Sequence, residues 1–208
     1  MLLMNQDPSF TPTSPSNIDD DQLDHDQGGG QRGRRVPPQK RGRSRQDWAT
    51  PPNFLTAVKK RLLIGEFTFD LAASPSNRVC EGFFSIEDDS LSKDWAALGK
   101  GWLWLNPPFG DIGPWVRKAR EEARKGASIA VLVPASVGSN WWRDYVHQNM
   151  CDVYFLNGRI TFVGAPDPYP KDLALLLYHH ARDWCTDCGS GKIDVWSWAK
   201  DLKGSEGV

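Results

Sequence analysis

Apolar and polar positions alternate in blocks that read as an α/β chain. Residues 53–63 carry Phe54, Leu55, Val58, Leu62 and Leu63 at helical spacing, with Thr50 and Pro51 suited to the helix start and Gly65 to its end. Residues 66–71 alternate as a strand, and residues 79–84 predict a second short strand. An acidic turn follows over 86–91, then a helical turn over 95–98. The runs at 102–105 and 127–133 are almost wholly apolar, as in parallel strands covered on both faces. Between them, residues 114–125 repeat apolar positions on one face, starting at a proline and stopping at Gly126, which predicts a helix. Residues 141–148 predict another helix, and 153–156, 159–163 and 173–178 three further strands. Helix, then βα units, then strands with little helix between them give an α/β domain whose mixed sheet ends in an antiparallel hairpin.

Composition trims this picture at both ends. The 208-residue chain is 39% hydrophobic, below the usual share for a compact domain, so part of it is expected to lie outside the fold. Residues 1–46 supply that part. They hold Pro, Ser, Gln and Gly with little to bury, and are expected to form a disordered tail. The tail carries an acidic block from Asp19 to Asp26, then a basic block from Arg32 to Arg45. The basic block is either a solvated partner of the acidic one or an arm for a phosphate backbone. The net charge of −1 announces no nucleic-acid partner by itself. No apolar run reaches 18 residues, so no transmembrane helix is expected. Four cysteines without an export signal point to reduced thiols in the cytoplasm. The folded domain is expected over 47–183, with 184–208 as a C-terminal extension packed back through Ile193, Trp196 and Trp198. Cys185 and Cys188 are two ligands where zinc needs four. Cys80, Cys151, His179 and His180 complete a set only if the fold gathers them, and no metal is expected.

The candidate chemistry sits at Asn106-Pro107-Pro108-Phe109, where the 102–105 strand breaks. Proline cannot continue a central strand and fixes φ, so the loop is stiff. In open α/β sheets ligands bind beyond the C-terminal ends of the strands, which is where this loop falls. The Asn106 side-chain oxygen and the Pro107 carbonyl are two acceptors whose directions the double proline fixes, and Phe109 stands beside them at the mouth of such a ligand crevice.

These residues resemble the (D/N/S)PP(Y/F) motif of S-adenosylmethionine-dependent methyltransferases acting on exocyclic amino groups. The wider pattern is similar to the phage-type DNA N6-adenine methyltransferases (the phage Dam family). It takes in Trp48 to Pro52, Phe69 to Ser74 with Asn77 and Cys80, and Asp89 to Leu91 followed by Asp94 and Trp95. It continues through Leu105 to Phe109, Trp115, Leu132 to Ala135, Trp141, Trp142 and Gly158 to Phe162, covering about residues 47–180.

The resemblance implies a Rossmann-like methyltransferase fold with a mixed central sheet. It implies S-adenosylmethionine as cofactor, held by Trp48, Thr50, Pro51, Asp70, Ala72 and Ala73, with Asp88 or Asp89 accepting from the cofactor's adenine. It implies duplex DNA as partner and the host cytoplasm as location if the chain is phage-encoded. The target adenine would be flipped out of the duplex. Its amine is a poor nucleophile, with its lone pair delocalised into the ring; the Asn106 oxygen and Pro107 carbonyl against its N–H hydrogens would favour a more tetrahedral nitrogen, with Phe109 stacking on the base. Phe162 is then a candidate for the base's second face or a plain core residue, Arg159 for a base edge, phosphate or internal carboxylate, and Trp141 for a wedge or helix packing. The glycine-rich FxGxG loop of many methyltransferases is absent, with Asp70-Leu71-Ala72-Ala73 in its place. Cytosine-N4 methylation poses the same chemical problem and stays open, as do protein-amide methylation and a non-catalytic DNA-binding role.

Overall fold

The computed structural model describes residues 48–147, 151–179 and 191–203. The tail of residues 1–46, and His180, Cys185 and Cys188, lie outside that range. Among the described residues one six-stranded sheet organises the chain: β1 (Phe69–Asp70), β2 (Trp102–Leu105), β3 (Ser128–Pro134), β4 (Cys151–Leu156), β5 (Leu173–Tyr178) and β6 (Ile193–Trp196), in the order β1-β2-β3-β5-β4-β6. β1, β2 and β3 run parallel, β5 is antiparallel to both β3 and β4, and β6 is parallel to β4. The expected mixed α/β sheet is what forms.

The continuous apolar runs become strands covered on both faces. Leu103, Leu105, Ile129, Val131, Val133, Leu176 and Tyr178 face one buried cluster with α2 (Gly113–Arg124) and α3 (Asn140–Tyr145). Trp104, Ala130, Leu132, Leu175 and Leu177 face the other, with α1 (Pro52–Leu62). Each fully buried Leu or Ile contributes about 1.5–3 kcal/mol of transfer free energy, so these central strands hold the layers together. No helix of the described residues is long and apolar enough to cross a membrane.

Several elements differ from expectation, each for a local reason. The strand expected over 79–84 is a single bridge between Asp70 and Phe83, because β1 is only two residues long and offers no more edge. The strand expected over 159–163 is likewise one bridge, from Val163 to Ala49. There the backbone turns at Gly164 (φ 80°) and Tyr169 N–H donates to the Ile160 carbonyl, so the segment folds on itself. β4 and β5 are therefore antiparallel neighbours joined by a long excursion, not a tight hairpin. Thr50 does not cap α1; the residue before the helix is Pro51, and Thr50 is buried. The helix ends not at Gly65 but at Leu63, in a left-handed conformation with its N–H on the Lys60 carbonyl. The sequence predicts only tail packing around Ile193, yet Ile193–Trp196 adds β6 as a strand beside β4. Trp196 is buried and its Nε1–H donates to Asp201, on α4 (Lys200–Lys203), at 2.7 Å, while Ile193 stays exposed.

Candidate functional site

Beyond the C-terminal ends of β1 and β2 lies a cavity of about 550 Å³, a size that suits a nucleoside-sized ligand. Its inner side is built by the strap Trp48–Thr50 leading into α1, the loop directly after β1 and the loop after β2, and its outer side by residues 83–88 and Trp115 of α2. Trp48, Thr50, Asp70, Ala72, Ala73, Asp88, Asn106 and Pro108 all line it. Asp89 and Pro51, also expected at the cofactor, do not: the backbone turns at Asp89 in a left-handed conformation, and Pro51 opens α1.

Asp70 ends β1 and is 2% exposed. Its carboxylate accepts from the N–H of Ala72 at 3.3 Å and of Val79 at 3.1 Å. Burial outweighs those two bonds and pushes its pKa up from 3.8 to about 6. The carboxylate thus sits in the cavity wall with its charge poorly solvated, a position that favours a cationic ligand. The following loop is stiffened by the Asn77 side chain, which accepts from Ser74 N–H at 2.6 Å.

Asn106 leaves β2 at the cavity. Its Nδ2 donates to the Trp48 carbonyl at 3.3 Å, which fixes which way the amide points. Its Oδ1 is then left out of solvent with no hydrogen-bond partner among the described residues. A buried acceptor without a donor costs about 1–3 kcal/mol, so this oxygen is a ready receiver for an N–H brought in from outside. Pro107 is buried and Pro108 exposed on the cavity side.

Phe109 is half-buried and packs edge-on against Phe162 at 6.1 Å and Tyr169 at 5.4 Å. Phe162 is 4% exposed and belongs to the core cluster with α1. The Arg159 guanidinium donates to the Tyr169 carbonyl at 3.0 Å and lies 3.8 Å from the Asp172 carboxylate, so its contacts are internal. Trp141 packs on Trp142 and lines a separate groove between α2 and α3.

Sequence reasoning misses the far rim. Phe83, Phe84, Ser85, Ile86 and Glu87 line the cavity too. Ser85 caps the 3-10 turn Ile86–Asp88: its N–H and hydroxyl both donate to the Asp88 carboxylate at 2.7 Å, which holds that carboxyl below its ordinary pKa. Asp88 is therefore already engaged by the fold. The one available signal is Ile86, an isoleucine set in an acidic turn, which proves 97% exposed at the cavity's edge. Among the described residues no group of three or more His, Cys, Asp or Glu side chains is arranged to hold a metal.

Comparison with known proteins adds the family. A family profile described as DNA N-6-adenine-methyltransferase (Dam) matches residues 39–172. A DNA N-6-adenine-methyltransferase of Escherichia phage T1 is 32% identical over 115 residues, which cover 55% of this chain and 46% of that protein. One of Haemophilus phage HP1 (strain HP1c1) is 28% identical over 117 residues, 56% of this chain and 65% of that protein. The chain thus spans between about half and two thirds of the length of these relatives.

Proposed function

Because the chain belongs to the DNA N-6-adenine-methyltransferase (Dam) family, we propose that it methylates the N6 amino group of adenine in duplex DNA, using S-adenosylmethionine. The observation that carries this reading is the Asn106 side-chain oxygen, buried at the cavity and lacking a donor. Asn106 Oδ1 accepts one hydrogen of the target amino group and the Pro107 carbonyl the other, so the nitrogen's lone pair is freed from the ring. The Trp48 carbonyl holds the Asn106 amide in that direction. Phe109 stacks on the base, recovering about 1–3 kcal/mol of the unstacking cost of flipping it out.

The cavity fits the cofactor on three counts: its volume, its aromatic wall and the desolvated Asp70 carboxylate facing a cationic ligand. Bound there, S-adenosylmethionine supplies an electrophilic methyl group on a sulfonium. Asp70 balances its positive charge, Trp48, Thr50, Ala72 and Ala73 shape the inner wall, and Asp88 keeps the rim turn closed. With both partners positioned, alignment supplies most of the rate. As the amine gains the methyl group, the sulfonium would leave as a neutral thioether and the amine would shed one proton to water past the Asn106 and Pro107 acceptors. The basic block of residues 32–45 adds phosphate contacts, and the host cytoplasm is the place of action if the chain is phage-encoded.

Asn106→Ala tests this reading. It is expected to lower kcat by about 10²–10³-fold, the effect of losing one preorganised hydrogen-bonding group at a reacting atom. The kcat is read at saturating cofactor, since the same substitution removes the Nδ2 bond to the Trp48 carbonyl and with it a tie on the cavity's strap. Undiminished turnover in that variant would remove the proposed role of the loop.

A further inference from the structure

Four polar or charged side chains are buried among the described residues: Thr50, Asp70, Ser90 and Glu122. The first two line the cavity. Neither of the other two lines it, but both are tied to the segment around Trp95: Ser90 through its backbone carbonyl, Glu122 through the Ala96 N–H. Glu122, on α2, is 0% exposed. One of its carboxylate oxygens accepts from Lys118 Nζ at 2.7 Å and Lys125 Nζ at 2.8 Å. The other accepts from the Ala96 N–H at 2.9 Å, across 26 residues of chain. Burial alone would raise the carboxyl's pKa, but these hydrogen bonds outweigh it and hold it down at about 2. The group stays charged and clamped throughout the physiological range.

Ala96 follows Trp95, which is also 0% exposed. Trp95 is held on three sides. Its Nε1–H donates to the Ser90 carbonyl at 2.9 Å, in the turn directly after the cavity rim. Its ring stacks on Trp115 with centroids 6.4 Å apart and planes 23° apart. The Lys118 ammonium, itself held by Glu122, lies 5.7 Å from the ring centre. Trp115 lines the cavity. A set of contacts therefore runs from Glu122 through Ala96 and Trp95 to the Trp115 wall of the cavity and to the Ser90 turn, which continues the chain from the Ser85–Asp88 rim.

We infer that Glu122 is a positioning residue for the cofactor cavity: by clamping the Ala96 N–H it fixes Trp95, and Trp95 sets the Trp115 wall and the Ser85–Asp88 rim together. The inference rests on reading the cavity as the S-adenosylmethionine site. Glu122 touches no ligand itself. Its effect is on affinity for the cofactor, with turnover at saturating cofactor unchanged.

The test uses the full chain with S-adenosylmethionine as probe, reading Kd by calorimetry and melting temperature without ligand. Glu122→Ala removes the clamp and is expected to weaken binding by about tenfold or more. Glu122→Gln keeps an amide oxygen for the Ala96 N–H but gives up the two lysines. It should lose melting temperature while holding affinity within about threefold of wild type. Trp95→Phe keeps an aromatic ring, smaller than the indole, and loses the bond to the Ser90 carbonyl; it should weaken binding by about threefold or more even if Glu122→Ala fails to fold. Leu177→Ala, in the core cluster on the opposite face of the sheet, should lower melting temperature with no change in affinity. Wild-type affinity in a folded Glu122→Ala, wild-type affinity in Trp95→Phe, or affinity that falls with melting temperature in Leu177→Ala as well, would each overturn the inference. A wild-type chain that binds no S-adenosylmethionine would instead overturn the reading of the cavity.

Discussion

Asp70→Asn separates what this side chain costs the fold from what it gives the ligand. The Asp70 carboxyl has a pKa of about 6 in the folded chain against an ordinary 3.8. The folded state therefore binds more protons than the unfolded state between those values, and stability falls as pH rises from about 4 through about 6, then levels. The total is about 3 kcal/mol, of which about 1.4 kcal/mol is added between pH 5 and pH 8. Asparagine carries no charge to desolvate. It does face two N–H donors, from Ala72 and Val79, with only one oxygen, which costs about 1–3 kcal/mol independent of pH. The variant's stability at a single pH is thus a sum of opposing terms, but its pH dependence isolates the charge. Urea unfolding of the ligand-free proteins should show the variant gaining on wild type by about 1.4 kcal/mol from pH 5 to pH 8. Calorimetry should then show S-adenosylmethionine binding weakened by about tenfold or more at pH 8, with neutral 5′-methylthioadenosine changed by less than about threefold. A stability difference that stays flat with pH, or moves the other way, would refute the buried-charge argument. Equal loss for the charged and neutral ligands would show that Asp70 acts by shape instead.

Two further perturbations test other links. Gly101 enters β2 at φ 124°, and a Cβ there would meet Thr68 Cγ2 at 2.5 Å; Gly101→Ala should cost more than about 1 kcal/mol in urea unfolding, and an unchanged midpoint would show that the strand carrying Asn106 tolerates a shift. Removing residues 1–46 should flatten the slope of log binding constant for duplex DNA against log salt by about 0.9 for each phosphate that the basic block neutralises; an unchanged slope would make the basic block only a tail.

The parts of the fold written in long apolar runs are legible in the sequence. Residues 127–133 and 173–178 bury both faces, so their strands need no partner to be recognised. The NPPF loop is legible for the opposite reason, since two prolines after an apolar run leave few places in a sheet to sit. Elements that depend on a distant partner are not. β6 exists because β4 offers an edge, and the 159–163 segment fails as a strand because it pairs with the Trp48–Thr50 strap and with itself. At the site, the break after the 102–105 run points to Asn106 and the family resemblance to Asp70, and both line the cavity, but neither shows which carboxylate of the acidic turn is already spoken for. Asp88 closes a capping box through Ser85, and Asp89 is not part of the cavity wall, while Glu87 and Ile86 reach it. Phe162, open in sequence between a stacking face and the core, lies in the core against Phe109. Glu122 reads as an ordinary helix charge; only its contact with Ala96 reveals otherwise.

The central claim is the transfer itself. Incubating the full chain with methyl-labelled S-adenosylmethionine and unmethylated duplex DNA, then digesting to nucleosides for mass analysis, reads it directly. Label in N6-methyladenine is the predicted result. Label in N4-methylcytosine would keep the loop chemistry and contradict the base; no labelled nucleoside, with the cofactor demonstrably bound, would contradict DNA as the substrate.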